Sequence, residues 1–524
     1  MKKFNTQFLW LVILLNLCNV GVNAYTGGDG SSGNPYQLSV ANDIQQLMST
    51  PTDWNSNKYF IVTSDIDCSG LINPNPIGTY SDDLDYVEFN GNFDGQGFTI
   101  SNITINQASN SDIGFFGYCE NANIRNLNLV DISVIGDTFV GTMVGSFLFS
   151  TIYNCHVTGN LVGENFVGGF MGYIEECTIS GCSYTGNVSG VYVVGGFCAM
   201  NYGTISNCII AGDVAGDIYT AGFCAYNAGT EEFSSTIINC HNSGSVNGSF
   251  FVTAGFCGLN FGSIIINCSS NSMVFGGVYV SGFCGLNEES IISQCSFNGD
   301  CFATSIISAG FCNINSYSSI LSSYSTGSVS GERLVGGFCS ENINSSISYC
   351  HSLCNTTSSN NIIGGFCAYN FESTINSSYS KGNVLGVDTV GGFCGINDEG
   401  IIRNSFATGL VNGSIDVGGF CGLNNYSTIT NSYSTGQSEG SSNVGGFCGT
   451  NIQSTISYCY SKGKPISTTY VGGFTGYDED GIYLCDFWNT QTSEMTDGVG
   501  NIDPDPSELL GLTSVEFSIQ SSFP

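Results

Sequence analysis

Basic residues are scarce in this chain. It has nine lysines and arginines against 42 aspartates and glutamates, which gives a formal net charge of −33. Two of the nine are Lys2 and Lys3, so the chain beyond its first residues has seven: Lys58, Arg125, Arg333, Lys381, Arg403, Lys462 and Lys464. Such a surface repels nucleic acids and anionic membranes, but it could attract calcium or basic partners. We interpret the acidity mainly as a source of solubility for a long β-rich chain.

Long hydrophobic runs are absent beyond the N-terminus. Lys2 and Lys3 precede an apolar run from Phe8 to Leu17, and the small residue Ala24 follows. This order predicts a secretory signal peptide over residues 1–24, because the run is short for a membrane span. No later segment is apolar enough to cross a bilayer. We therefore expect a secreted or cell-surface protein with no transmembrane segment.

Proline, histidine and helical periodicity are also scarce, whereas glycine is abundant. There are eight prolines, three histidines and 71 glycines. A phrase of the form V-G-G-F-C-G-x-N recurs about every 27 residues. Its central aromatic stands at Phe170, Phe197, Phe223, Phe256, Phe283, Phe311, Phe338, Phe366, Phe393, Phe420, Phe447 and Phe474. A fixed period of this size is typical of a solenoid.

Each repeat contains three short β-like runs separated by glycine, asparagine and serine. This pattern predicts an all-β fold, a right-handed three-sided parallel β-helix with about 27 residues per rung. The expected organisation is an N-terminal cap with the first strands at 25–113, the repeats at 114–480, and a C-terminal cap and tail at 481–524. A 33-residue gap between Phe223 and Phe256 predicts an inserted loop near residues 229–234.

Two residue ladders follow from the stacking of rungs. An asparagine stands four residues after the phenylalanine in ten consecutive repeats, from Asn201 to Asn451, and its amide can bond from rung to rung. A cysteine directly follows the phenylalanine in ten repeats, from Cys198 to Cys448. Adjacent residues of a regular strand face opposite sides, so either the chain bends at the glycine pair or one ladder lies outside. We expect the bend.

The chain has 25 cysteines, and a secretory route permits disulfides. A second cysteine series alternates with serine, which favours small packed residues over obligate bridges. We expect mostly stacked thiols with a few disulfides, and a local pair such as Cys350 and Cys354 is the better candidate for a bridge.

The phrase Gly419-Phe420-Cys421-Gly422, in its repeat setting, resembles the GLUG motif. Asn34-Pro35-Tyr36 near the start and Asp486-Phe487-Trp488-Asn489 near the end resemble the segments that open and close such proteins. The resemblance covers nearly all of the chain after residue 24. It implies a secreted or surface β-helix that often forms part of adhesin-like proteins, and it implies no single activity.

The sequence offers no catalytic set and no cofactor site. The histidines, His156, His241 and His351, are three and four rungs apart, too far to share a metal ion, and no Ser-His-Asp set can be nominated. Asp82, Asp83, Asp85 and Glu88 belong to the densest acidic cluster, which we interpret as a solvated loop first and a calcium site second. Nine N-x-S/T sequons stand at Asn102, Asn187, Asn247, Asn267, Asn344, Asn355, Asn376, Asn412 and Asn425, so the protein could be a glycoprotein.

The leading hypothesis is a non-catalytic, extracellular β-solenoid that is adhesin-like or structural, with an extracellular glycan or a surface protein as its partner. One alternative is a carbohydrate-active β-helix enzyme, a polysaccharide hydrolase or lyase. Hydrolases need two well-placed carboxylates, and lyases need basic residues that this chain has few of. The other alternative is a calcium-dependent carbohydrate-binding module.

Overall fold

The computed structural model describes residues 25–80, 86–230, 233–304 and 306–519. Parallel strands wind into a β-solenoid of about 17 turns, with rungs about 27 residues apart. The parallel β-helix predicted from the repeat is confirmed. The predicted signal peptide lies outside the described residues.

One rung contains five short strands. In the rung that includes Phe393 they are β1 (Thr389–Gly391), β2 (Cys394–Asp398), β3 (Ile401–Arg403), β4 (Phe406–Ala407) and β5 (Val411–Asn412). The same five labels are used below for the equivalent strands of other rungs. Each strand pairs in parallel with its counterparts in the rungs before and after it.

The strands form three sheets, one for β1, one for β2 with β3, and one for β4 with β5. The sequence predicts three strands per rung, and the difference arises because two of the sides are interrupted. In this rung left-handed Glu399, with a φ of 51°, separates β2 from β3 on one side, and residues 408–410 separate β4 from β5 on another. Left-handed Asn404, with a φ of 54°, lies at the corner between β3 and β4. A left-handed glutamate breaks a strand without the glycine that would have marked the turn in the sequence.

The β1 sheet has 13 strands. Their bounds are Thr138–Gly141, Asn165–Gly168, Val193–Gly195, Tyr219–Ala221, Val252–Ala254, Tyr279–Ser281, Ile307–Ala309, Leu334–Gly336, Ile362–Gly364, Thr389–Gly391, Ile415–Gly418, Ser442–Gly445 and Thr469–Gly472.

In the second sheet, two strands run through β2 and β3 without a break, Met171–Ser180 and Cys198–Ser206. The other β2 strands are Phe116–Glu120, Val144–Leu148, Cys224–Ala228, Cys257–Phe261, Cys284–Glu288, Cys312–Ser316, Cys339–Ile343, Cys367–Phe371, Cys394–Asp398, Cys421–Asn425, Cys448–Ile452 and Thr475–Glu479. The other strands in the β3 column are Tyr36–Leu38, Tyr59–Val62, Asn92–Asp94, Asn123–Arg125, Thr151–Tyr153, Thr236–Ile238, Ile264–Ile266, Ile291–Ser293, Ser319–Leu321, Ser346–Ser348, Thr374–Asn376, Ile401–Arg403, Thr428–Thr430, Thr455–Ser457 and Ile482–Leu484.

In the third sheet, four strands run through β4 and β5: Asn128–Ile135, His156–Val162, His241–Gly248 and Ser269–Gly276. The other strands in the β4 column are Ile66–Asp67, Thr99–Ser101, Ser183–Thr185, Ile209–Ala211, Ser296–Asn298, Tyr324–Thr326, His351–Ser352, Tyr379–Ser380, Phe406–Ala407, Tyr433–Ser434, Tyr460–Ser461, Asp486–Asn489 and Leu509–Leu512. The other β5 strands are Thr104–Asn106, Val188–Ser189, Val214–Gly216, Cys301–Ala303, Ser328–Gly331, Asn355–Ser358, Val384–Leu385, Val411–Asn412, Ser438–Glu439 and Pro465–Ile466.

Short elements lie at the two ends of the solenoid. Helix α1 (Ala41–Ser49) buries Ile44, Leu47 and Met48, and the indole nitrogen of Trp54 donates to the carbonyl of Leu47 at 2.7 Å. At the other end, α2 (Thr490–Ser493) begins at the side-chain cap Asn489. The remaining elements are an antiparallel pair, Thr79–Tyr80 with Tyr86–Val87, and the 3-10 turns Pro51–Asp53 and Glu516–Ser518.

The phenylalanines of the repeat form one continuous internal stack. From Phe170 to Phe474, neighbouring ring centroids lie 4.6–5.0 Å apart, and the ring planes differ by at most 7°. Both Phe393 and Cys394 are fully buried. The chain therefore bends between β1 and β2, as expected, and both ladders face the core.

The asparagine ladder is also confirmed. From Asn201 to Asn451, each amide nitrogen donates to the amide oxygen of the next rung at 2.7–2.9 Å. The ladder ends where Asn451 donates to the carboxylate of Asp478 at 2.8 Å. These asparagines are fully buried, so each bond prevents the cost of an unpaired polar group in the core.

The cysteines stack as thiols, and the few expected disulfides are not found within the described residues. Cys350 and Cys354 are both free and buried. The sulfur of Cys350 contacts the carbonyl oxygen of Ser348 at 3.2 Å, whereas Cys354 lies in the turn after β4, beside Gly310. Their side chains pack against different neighbours, and burial raises the pKa of Cys350 to about 12 and that of Cys354 to about 11.

The predicted insertion is a loop between the strands Cys224–Ala228 and Thr236–Ile238. Within it the backbone nitrogen of Thr230 donates to the carbonyl of Phe233 at 2.7 Å. The flanking strands keep the parallel register of their columns, so the extra residues leave the core unchanged.

Candidate binding surfaces

A second aromatic stack lies on the outside of the β4 column. It consists of Tyr324, His351, Tyr379, Phe406, Tyr433 and Tyr460, with successive centroids 4.7–5.1 Å apart and planes within 7° of parallel. All six side chains are half-buried. The sequence carries a signal for this row, an aromatic at a fixed place in six consecutive repeats, but the sequence analysis missed it.

In the same six rungs, the segments that contain β3, β4 and β5 have almost no acidic residues. We define the aromatic face as the outward side chains of residues 319–331, 346–359, 373–387, 400–415, 427–440 and 454–467. These segments contain one acidic residue, Glu439, and four basic residues: Lys381, Arg403, Lys462 and Lys464. Four of the seven basic residues beyond the predicted signal peptide thus lie on one face.

The other side of these rungs carries the acidic groups. In residues 332–345, 360–372, 388–399, 416–426 and 468–480, around β1 and β2, the one basic residue is Arg333. The acidic residues there are Glu332, Glu341, Glu372, Asp388, Asp398, Glu399, Asp416, Asp478, Glu479 and Asp480. Over the six rungs taken together, the charge is therefore segregated by side, which the net charge alone does not reveal.

One carboxyl group interrupts an apolar row on β2. Glu341 lies in register with Ile314 on one side and Tyr369 on the other, and burial raises the pKa of Glu341 above its usual value. The hydroxyl of Tyr369 donates to Asp398 at 3.0 Å, and the amide of Asn425 donates to the same carboxylate at 2.8 Å. Glu341 and Asp398 therefore flank Tyr369 in different environments.

The acidic cluster of the sequence analysis falls largely outside the described residues, which exclude Asp82, Asp83 and Asp85. Glu88 is described, and its carboxylate accepts from the amide of Asn90 at 3.5 Å. Within the described ranges, no three histidine, cysteine, aspartate or glutamate side chains lie together in a way that could hold a metal ion. The calcium site stays a prediction.

The histidines take part in rung-to-rung contacts. His156 and His241 each place Nδ1 2.8 Å from a serine hydroxyl of the next rung, Ser183 and Ser269. His351 is stacked between Tyr324 and Tyr379. The sequence also contains the pattern Gly436-Gln437-Ser438-Glu439-Gly440, but Ser438 is buried and donates to the carbonyl of Gly445 at 2.9 Å, so its hydroxyl is not exposed as a nucleophile.

The sequon asparagines all lie outside the core. Asn102, Asn187, Asn247, Asn267, Asn355 and Asn412 are exposed, and Asn344, Asn376 and Asn425 are partly exposed. No helix among the described residues is long and apolar enough to span a membrane.

The sequence of two repeats matches a known motif. The family model of the GLUG motif matches residues 413–438 and 440–464, two consecutive rungs of the solenoid. This chain is a β-solenoid that contains two GLUG repeats. Both matched GLUG repeats include part of the aromatic face.

Two curated proteins are similar to part of this chain. The chain is 32% identical over 146 residues to Halomucin of Haloquadratum walsbyi, covering 26% of this chain and 2% of that protein. It is 29% identical over 133 residues to a protein of Evansella cellulosilytica named as a candidate Gly-rich membrane protein, covering 24% of this chain and 14% of that protein. The matches therefore span a small part of either relative.

A solved structure also resembles the chain. It is described as a candidate immunoglobulin A1 protease from Bacteroides ovatus, with 16% sequence identity and a TM-score of 0.23. The match covers 67% of this chain and 78% of that one. At this score the likeness carries no argument about activity.

Proposed function

We propose that this protein is a secreted or surface-associated, non-catalytic β-solenoid that binds an extracellular glycan or surface protein. The observation that carries the proposal is that each rung has one set of side chains in the core and another set on the surface. Phenylalanine, cysteine and asparagine ladders fill the interior, and the outward side chains of β3 to β5 form a long, regular surface. Extended faces of this kind are what solenoids use for binding.

Two further observations support an extracellular setting. Residues 1–24 have the composition of a signal peptide, and the names of the curated relatives refer to a mucin and to a membrane protein. The acidic composition fits a protein that must stay soluble at high concentration near a surface.

A glycan-array screen of the chain from residue 25, with and without calcium, tests this proposal. Binding without cleavage of the bound glycan supports the binding role, and a strict calcium requirement would favour the calcium-dependent module with Asp82, Asp83, Asp85 and Glu88 as its candidate ligands. An assay for new reducing ends on every bound glycan detects hydrolysis. Cleavage would contradict the non-catalytic proposal.

The enzymatic alternative has one specific observation in its favour, the pair Glu341 and Asp398. Glycoside hydrolases need two carboxyl groups in different protonation states, and burial keeps Glu341 protonated to a higher pH than usual. Glu341→Gln should abolish any hydrolysis that the reducing-end assay detects, whereas Glu332→Gln, an exposed glutamate of the same rung, should leave it unchanged.

A further inference from the structure

We propose that the aromatic face binds a polysaccharide whose sugars carry carboxylate groups, a polyuronate. The inference deepens the proposed function, because it names the ligand class and the surface for an extracellular binding protein. It rests on three observations: the orientation of the aromatic rings, the sign of the local charge, and the polar side chains that repeat on two consecutive rungs.

The rings present their edges to solvent. Because Tyr379, Phe406 and Tyr433 stack with their planes within 5° of parallel, each ring covers the face of its neighbour. The exposed part of each side chain is therefore the ring edge, which carries the positive end of the aromatic quadrupole. A row of edges favours anionic groups, and it offers no ring face on which a neutral sugar could stack.

Lysine and arginine side chains lie beside this row of stacked rings. The ammonium of Lys381 lies 5.0 Å from the ring centroid of Tyr379, and that of Lys462 lies 5.5 Å from Tyr460 and 5.0 Å from Phe517. Arg403 is exposed on the adjoining β3 strand. Lys464 pairs with Glu494, so three of the four cations of the face are free of a carboxylate partner among the described residues.

The net charge of the protein does not prevent this interaction. At physiological ionic strength, exposed charges act over roughly 8 Å, so the local sign of the face decides what can approach it. The three free cations lie in the third, fourth and sixth of the six rungs, which matches a polymer with one charge per sugar better than a densely sulfated one. The planar guanidinium of Arg403 suits a carboxylate, which it can bind through two parallel hydrogen bonds.

Hydroxyl and amide side chains repeat on part of the face. In two consecutive rungs, the position two residues after the β4 aromatic holds Thr408 and Thr435, and the β3–β4 corner holds Asn404 and Asn431. In the other rungs the first position holds Thr326, Leu353, Lys381 or Lys462, and the corner holds Ser322, Tyr349, Ser377 or Tyr458. Rungs repeat at about 4.8 Å, so these groups can meet the hydroxyls of successive sugars along an extended chain.

The test compares two variants with the same change in net charge. Lys381→Gln, Arg403→Gln and Lys462→Gln remove the free cations of the face, whereas Lys58→Gln, Arg125→Gln and Arg333→Gln remove three cations elsewhere. The protein should be made without N-glycosylation, because the sequons at Asn355, Asn376 and Asn412 lie on the face. Binding of polygalacturonate oligosaccharides is measured by calorimetry at low and high salt, and circular dichroism checks that both variants are folded.

We expect the unmodified protein to bind polygalacturonate more weakly as salt rises. The face variant should lose at least tenfold in affinity, and the control variant less than twofold. Equal losses in the two variants, or preference for a sulfated glycan such as heparin, would overturn the inference. If the protein binds only neutral glycans on the array, the polyuronate inference is wrong and the proposed function stands. If it binds no glycan at all, the inference is wrong and the result also counts against glycan binding.

Discussion

At the residue scale, the buried carboxyl of Asp486 makes stability depend on pH. Burial raises its pKa to about 7, although the backbone nitrogens of Cys459 and Leu484 donate to it at 2.8 and 3.0 Å. Because the folded-state pKa lies above the ordinary value of 3.8, its proton stabilises the folded chain fully below pH 3.8. That stabilisation is lost as the pH rises through 7.

Asp486→Asn should therefore flatten the pH dependence of stability. Between pH 5 and pH 8, the free energy of unfolding should fall by about 2 kcal/mol less in this variant than in the unmodified protein. Urea denaturation at the two pH values measures this. Asp480→Asn, at an exposed left-handed position, is the control and should keep the original dependence.

A single amide of the asparagine ladder should matter more than a surface amide. Asn342→Ala removes the acceptor of the Asn315 amide and the donor to Asn370, and it leaves both groups unpaired in the core. We expect a loss of about 2–5 kcal/mol, seen as a lower thermal midpoint. Asn412→Ala, on the exposed side of β5, should change stability by less than about 0.5 kcal/mol. Similar losses at the two positions would argue against a buried ladder.

The buried ladders were easier to predict from the sequence than the row of outward-facing aromatic residues. The recurrent spacing of Phe, Cys and Asn was sufficient to predict the core, because stacked rungs explain a period of about 27 residues that recurs along most of the chain. The β4 aromatics were visible in the sequence, but their meaning depended on knowing that Tyr379 faces outward and that Ser380 faces inward.

At the element scale, the close packing of rungs at the corner between β1 and β2 depends on a glycine. A Cβ atom at Gly392 would lie 2.2 Å from the carbonyl oxygen of Gly419 in the next rung. Gly392→Ala should therefore destabilise the protein by about 1–3 kcal/mol, because two rungs would have to separate locally. Thermal unfolding measures the loss. Gly70→Ala, where a Cβ would meet nothing within 4 Å, is the matched control.

The number of strands in a rung could not be predicted from the sequence. Glycine and proline mark turns, but the break that divides β2 from β3 is made by left-handed Glu399. A left-handed glutamate cannot be recognised from the sequence, because stacking against the neighbouring rungs imposes this backbone conformation. The inserted loop was predictable, because extra residues disturb a period wherever they occur.

At the scale of the whole molecule, the cysteines should behave as protected thiols. All but one of the described cysteines are buried, and Cys485 is partly exposed. A thiol titration of the folded chain from residue 25 should detect at most about one reactive group, and guanidinium should release the others. Reducing agents should leave the thermal midpoint unchanged. A thiol count after denaturation that rises only when a reductant is added would show that disulfides are present.

Charge segregation extends over the six rungs that carry the aromatic face, and the sequence contained it in full. The 42 acidic residues dominate any total, so the four cations of the aromatic face become visible only when each repeat is divided by strand. The net charge describes the chain as a whole, and the sign of each side could not be assigned before the strands were known.

The asparagine ladder has a direction as well as a position. Every amide from Asn201 onward donates towards the C-terminal end, so ten amide dipoles point the same way along the axis. Aligned dipoles reinforce one another in a low-dielectric core, and they leave a positive end at Asn451. The carboxylate of Asp478 lies at that end and neutralises it, as an acidic cap does for a helix. The solenoid is thus electrically polar along its length, and its two ends are not interchangeable.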